Sequence, residues 1–124
     1  MNMEKEIALY REKVKRYYDN EDRLIQYPTK RPLRILALSK IAEKFELSVK
    51  YTEKEVNEII RNSIAFTDIE LIRREMFQHR FIGRLRDGSK YWLEEDWKSL
   101  YGDYLGEVRG AALDCGENRT EENE

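Results

Sequence analysis

Two short helical patterns, each opened by a capping signature and separated by only three residues, are followed by an Asp-Gly hairpin signal. With the apolar-faced helix that precedes them, they predict a mainly α fold with a small β-hairpin: a winged helix-turn-helix with extra N- and C-terminal helices. At 124 residues the chain has room for one core and appendages. Four parts are expected: an N-terminal amphipathic helix (1–26), the winged-helix unit (27–93), a C-terminal helix (94–113) and an acidic disordered tail (114–124).

Met3 to about Asn20 reads as the first helix, with Ile7, Tyr10, Val14 and Tyr17 on one stripe. Tyr27 and Arg31 precede prolines, which breaks the pattern, and Pro32 suits the first turn of the next helix. That helix is predicted from about Leu33 to Phe45, burying Leu38, Ile41, Ala42 and Phe45, with Arg34 at the solvent end of the face. A short extended stretch, Leu47 to Tyr51, follows. Thr52 and Glu55 form a capping box that opens a helix with Val56, Ile59 and Ile60 inward. Thr67 and Glu70 form a second box, and its helix runs to about His79 with Ile69, Ile72 and Met76 inward.

Phe81 to Arg86 and Ser89 to Leu93 read as strands joined by Asp87-Gly88, for which a type I′ turn with positive φ at both residues is expected. That register pairs Gly83 with Trp92 and Leu85 with Lys90, laying the indole over the glycine. Glu94 to about Val108 reads as the last helix, with Trp97, Leu100, Tyr101, Tyr104 and Leu105 as its stripe.

Composition excludes several function classes. No apolar run approaches the roughly 20 residues that span a bilayer. The first residues carry no apolar signal region, so a cytoplasmic protein is expected. With one cysteine, Cys115, and one histidine, His79, there is no internal disulfide, no multi-cysteine zinc site and no histidine pair. No phosphate-binding glycine loop and no nucleophile elbow occur. A non-enzymatic chain without cofactor or metal is expected. His79 reads as a structural histidine and Cys115 as a free thiol at the edge of the tail. The net charge of −2 hides an asymmetry: residues 23–93 carry 15 basic and 9 acidic side chains, net +6, and residues 94–124 carry 3 and 10, net −7. A basic central unit tolerates polyanions, and an acidic tail can screen it.

The segment from Ile35 through Leu93 also resembles the bacterial family known as domain of unknown function 2087. The matching features are Lys44-Phe45, the run from Tyr51 to Asn57, the run from Leu71 to Met76, and Asp87-Gly88-Ser89-Lys90-Tyr91-Trp92. The family pattern more often has leucine where this chain has Ile72 and Met76. The resemblance implies a transcription-related role, since members occur alone or attached to DNA-binding regulators.

A DNA-binding winged helix would use the helix beginning near Asp68 for recognition and the hairpin as its wing. Arg74 and Gln78, four apart, are the expected base-reading pair, since Arg reads guanine edges and Gln adenine. Internal pairing of Arg74 with Glu70 is the competing use of that arginine. Arg84, Arg86 and Lys90 flank the wing, where they can reach phosphates or merely protect a strand edge. Lys30 and Arg31 cluster at a helix start, which also attracts anions. The two flanking helices present stripes that the three-helix core does not need. A homodimer through Val14, Tyr17, Trp97, Leu100 and Tyr101 is therefore expected. The leading reading is a DNA-binding transcriptional regulator, with double-stranded DNA as its partner. The alternative is a protein-interaction or dimerisation module of the same fold that does not touch DNA.

Overall fold

The computed structural model describes residues 3–105, with Met3, Glu4, Asp103 and Leu105 described as backbone only. The expected tail, Cys115 and the last turn of the final helix lie outside the described residues. Six α-helices and two strands follow in the order α1 (Met3–Val14), α2 (Arg31–Ala42), α3 (Glu53–Arg61), α4 (Ile69–Gln78), β1 (Ile82–Arg84), β2 (Tyr91–Leu93), α5 (Trp97–Leu100) and α6 (Gly102–Leu105). The fold is mainly helical with one antiparallel hairpin, in the winged helix-turn-helix arrangement.

α2 is the hub. Leu38, Ile41 and Ala42 bury one side of it, as the spacing requires, but Leu33, Ile35, Leu36, Ala37 and Ser39 are buried as well. α1 and α6 pack on α2 besides α4, so the helix is covered almost all round. Arg34 does not run out into solvent as expected. Its Nε donates to the Pro28 carbonyl at 2.8 Å, and its guanidinium lies over the Tyr27 ring at 5.1 Å.

α1 ends six residues earlier than expected, at Val14, and a single 3₁₀ turn over Lys15–Tyr17 carries the chain into a loop. That loop returns on itself. Ile25 N–H donates to the Tyr17 carbonyl, Leu24 N–H to the Ser63 carbonyl, and Ala65 N–H to the Leu24 carbonyl, all within 2.7–2.8 Å. Leu24 is thereby held, fully buried, between Tyr18 and Ile64 of the α3–α4 turn.

The Thr52–Glu55 capping box forms in full: Thr52 Oγ1 accepts from Glu55 N–H, and Glu55 accepts from Thr52 N–H. The second box does not form. Asp68 caps α4 instead, accepting from Leu71 N–H at 3.1 Å. The chain there bonds Ile69 N–H to the Thr67 carbonyl, so the helix begins at Ile69, one position later, and Asp68 rather than Thr67 stands at the cap. α4 ends in a Schellman motif: Arg80 N–H reaches the Phe77 carbonyl, and Phe81 N–H reaches Met76. Arg80 occupies the left-handed position at φ 65°, where glycine is usual.

The hairpin has the expected register, with Gly83 opposite Trp92 and Leu85 N–H bonded to the Lys90 carbonyl. Its turn differs from expectation. Gly88 N–H closes on the Leu85 carbonyl, and only Gly88 has positive φ, 77°. The loop is four residues long, and such loops are built around a type I turn. Asp87 instead accepts from the Ser89 N–H and hydroxyl, which hold its carboxyl below the usual carboxylate range. Tyr51 pairs with Tyr91 through two 2.7 Å bonds and extends the sheet by one residue on the β2 side.

The final helix is broken rather than continuous. Trp97 and Tyr101 are buried in the chain's own core. The Tyr101 ring stacks on Phe81 at 4.9 Å, and its hydroxyl donates to the His79 carbonyl at 2.8 Å. Among the described residues no helix is long and apolar enough to cross a membrane.

Candidate functional site

α4 sets the geometry of the candidate site. Ile72 and Met76 fix it to the core, which leaves Arg74 and Gln78 exposed on one outward face. Its two flanks carry different neighbours. On one, Glu75 accepts from the Tyr27 hydroxyl at 2.7 Å, tying the helix to the loop before α2. Burial, and then that carboxylate, push the Tyr27 phenol well above its ordinary range. His79 lies 3.5 Å from the same carboxylate. On the other flank, Phe77 lies under the Arg84 guanidinium at 4.8 Å. Residues two apart on a helix stand about 160° apart around its axis, so Glu75 and Phe77 face the loop and the hairpin respectively.

Between α4 and the hairpin lies an open cleft of about 350 Å³, which brings Arg73, Arg74, Arg84 and Arg86 together with Glu53, Glu70 and Asp87. Arg73 is engaged already: it donates to Asn57 Oδ1 at 2.6 Å and stands 3.9 Å from Glu70. Glu70 thus faces Arg73, and the Glu70–Arg74 pair that would compete for Arg74 is not formed. Among the described residues Arg74 and Arg86 have no ion-pair partner. Arg84 is positioned by its own turn, donating to the Leu85 and Arg86 carbonyls at 3.1 Å each. Its guanidinium is held between the Phe77 ring and the loop, with further N–H groups left over for a ligand.

Three of the seven residues expected to meet DNA line this cleft: Arg74, Arg84 and Arg86. Gln78 continues the Arg74 face without lining the cleft. Lys90 pairs opposite Leu85, so strand alternation places it on the other face of the hairpin from Arg84. Lys30 lines a different groove, beside Lys13 and Arg16. Arg31 is exposed at the start of α2, its charge within reach of Tyr101.

Of the five residues expected to make a dimer, Trp97 and Tyr101 are spent on the core, and Val14 and Tyr17 are half-buried. Leu100 alone is exposed, at 44%. Both flanking helices pack on the chain itself, so their stripes find partners within one chain. Sequence reasoning missed Phe77, an exposed aromatic that reads as surface until Arg84 is laid on it. It missed Tyr27 too, whose partner Glu75 is 48 residues away.

A helix-turn-helix with an arginine-lined hairpin beside its second helix defines the chain as a winged-helix protein. It belongs to the bacterial family domain of unknown function 2087, described as uncharacterised proteins conserved in bacteria, whose family model matches residues 23–93, more than half of the chain. The match reaches back to include Leu24, the residue that closes the α3–α4 turn. No curated protein and no solved structure matches the chain.

Proposed function

We propose that this chain binds double-stranded DNA and serves as a transcriptional regulator. α4 would lie in the major groove and the hairpin over the adjacent backbone. The observation that carries the reading is the convergence of Arg74, Arg84 and Arg86 on one cleft, with Arg84 pre-positioned on Phe77. Arg74 and Gln78 would read base edges, and Arg84 and Arg86 would contact phosphates. Binding to random-sequence duplex, followed by fluorescence anisotropy, tests this. Affinity should fall linearly with salt on logarithmic axes. No binding at low salt overturns the reading.

One observation favours the second reading, a protein-interaction module. Glu53, Glu70 and Asp87 share the cleft with Phe77, which is 39% exposed. Carboxylates repel phosphate, while mixed charge around exposed apolar groups suits a protein surface. A homodimer is the lesser part of the proposal, resting now on exposed Leu100 and half-buried Val14. Two half-sites would give it DNA specificity, and light scattering at about twice the chain mass would support it.

A further inference from the structure

A second open cleft, of about 500 Å³, lies between the end of α1 and the start of α2. Lys13, Arg16, Tyr17, Ile25, Gln26 and Lys30 line it, and none of them lines the α4–hairpin cleft. Its lining contains no carboxylate. That is unusual for its surroundings, where charges are mostly neutralised in pairs: Lys15 with Glu12, Arg23 with Asp19 and Glu21, Lys40 with Asp22. Lys13, Arg16 and Lys30 have no carboxylate partner among the described residues. Three uncompensated cations around one concavity focus a positive potential there.

The floor has a different chemistry. The Tyr17 ring is half-buried against the core, and Ile25 is 47% exposed. The two are held side by side by the Ile25 N–H bond to the Tyr17 carbonyl at 2.7 Å. Leu24, locked to the α3–α4 turn, fixes this floor to the core, so the site is organised before any ligand arrives. Gln26 and the Tyr17 hydroxyl add hydrogen-bonding groups. Lys30 caps α2 without a side-chain cap bond, and the first turn of α2 carries no acid. The positive end of that helix therefore adds to the field.

We propose that this groove binds a small phosphate-bearing organic anion, its phosphates on Lys13, Arg16 and Lys30 and its carbon body against Tyr17 and Ile25. The inference is independent of the DNA reading, since the two clefts share no residue. A nucleic-acid backbone presents the same phosphate chemistry, and the experiment separates the two sources.

The whole chain is titrated at low salt with ADP, inorganic pyrophosphate, uncharged adenosine and a random duplex, and amide resonances are followed by NMR. ADP should shift residues 13–30 saturably, with a dissociation constant of about 1 mM or tighter. Adenosine should leave them unmoved, and pyrophosphate should bind more weakly than ADP. Replacing Lys13, Arg16 and Lys30 together by Gln should weaken ADP by at least about tenfold. Tyr17→Leu should weaken ADP while leaving pyrophosphate unchanged. Absence of saturable shifts with both anions, or ADP binding that survives the triple variant, overturns the proposal. Shifts at residues 13–30 with duplex alone also overturn it, because they make the groove a nucleic-acid contact.

Discussion

Gly83→Ala probes the joint on which the hairpin is hung. A Cβ at position 83 would stand 2.5 Å from Trp92 Nε1, 2.7 Å from Cε2 and 2.8 Å from a Glu94 carboxylate oxygen. Unstrained heavy-atom contacts begin near about 3.5 Å, so the indole must retreat by roughly 1 Å. It is not free to do so cheaply. Its N–H donates to Glu94 at 3.3 Å, and Lys50 Nζ lies over its face at 4.4 Å. Overpacking of this kind costs about 1–3 kcal/mol. For a chain of this size that lowers Tm by about 4–12 °C, read by circular dichroism. In a Trp92→Ala background the same substitution should cost almost nothing, giving a coupling above about 0.5 kcal/mol in a double-mutant cycle. A Gly83→Ala protein that melts within about 2 °C of wild type would refute the reasoning, since the indole would then not be seated on the glycine.

Asp68→Ala should cost about 1 kcal/mol in urea denaturation and Thr67→Ala only a few tenths, because Asp68 alone makes the cap bond; the reverse order would restore the Thr67 box. Arg80→Gly should raise Tm by several degrees, since it relieves about 1 kcal/mol of left-handed strain at φ 65°. Trp97→Ala should cost about 3–5 kcal/mol, whereas Leu100→Glu should leave Tm nearly unchanged, as burial of one and exposure of the other require. Tyr27 is held protonated in the fold by burial and by Glu75, while in the unfolded chain it ionises near pH 10. Its stabilising contribution is thus complete below about pH 10 and is lost as pH rises beyond it. Tyr27→Phe should flatten the fall in urea midpoint between about pH 9 and 11, and an unchanged slope would remove Tyr27 from that account.

Where backbone chemistry is local, the sequence was legible. Thr52 and Glu55 are three apart, and the helix starts directly after Thr52, so that box closes. Gly83 and Trp92 face each other because strand pairing counts outward from the turn. The turn itself was less legible: an Asp-Gly pair fits either a two-residue type I′ loop or a longer loop with glycine alone in the left-handed region. The Ser89 bonds to Asp87 accompany the second. Thr67 and Asp68 are both competent caps, and only the position of the first helical bond chooses between them. Leu24 carries no periodicity, since it is one residue bridging two distant segments. The last helix reads as continuous because its apolar stripe is real, but that stripe serves two tasks. Tyr101 turns to stack on Phe81 and to bond the end of α4, and the helix breaks there. The α4 end has no glycine to announce its Schellman motif. For the candidate site, spacing gave the outward face of Arg74 and Gln78, and alternation gave the wing cations. Which of them share a cleft depends on the seating of the hairpin against α4. That seating rests on Arg84 over Phe77, a contact between residues with no periodic relation.

The salt dependence of duplex binding by wild type and by the Arg84→Ala, Arg86→Ala double variant tests the central claim most directly. Each phosphate contact contributes about 0.9 to the slope of log affinity against log salt. If both arginines sit on phosphates, the double variant should bind random duplex with a slope shallower by about 1.8, while Lys90→Ala, on the other face of the hairpin, should leave the slope in place. A wild type that binds DNA with the same slope as the double variant would contradict the account, because the hairpin would then not be facing the backbone.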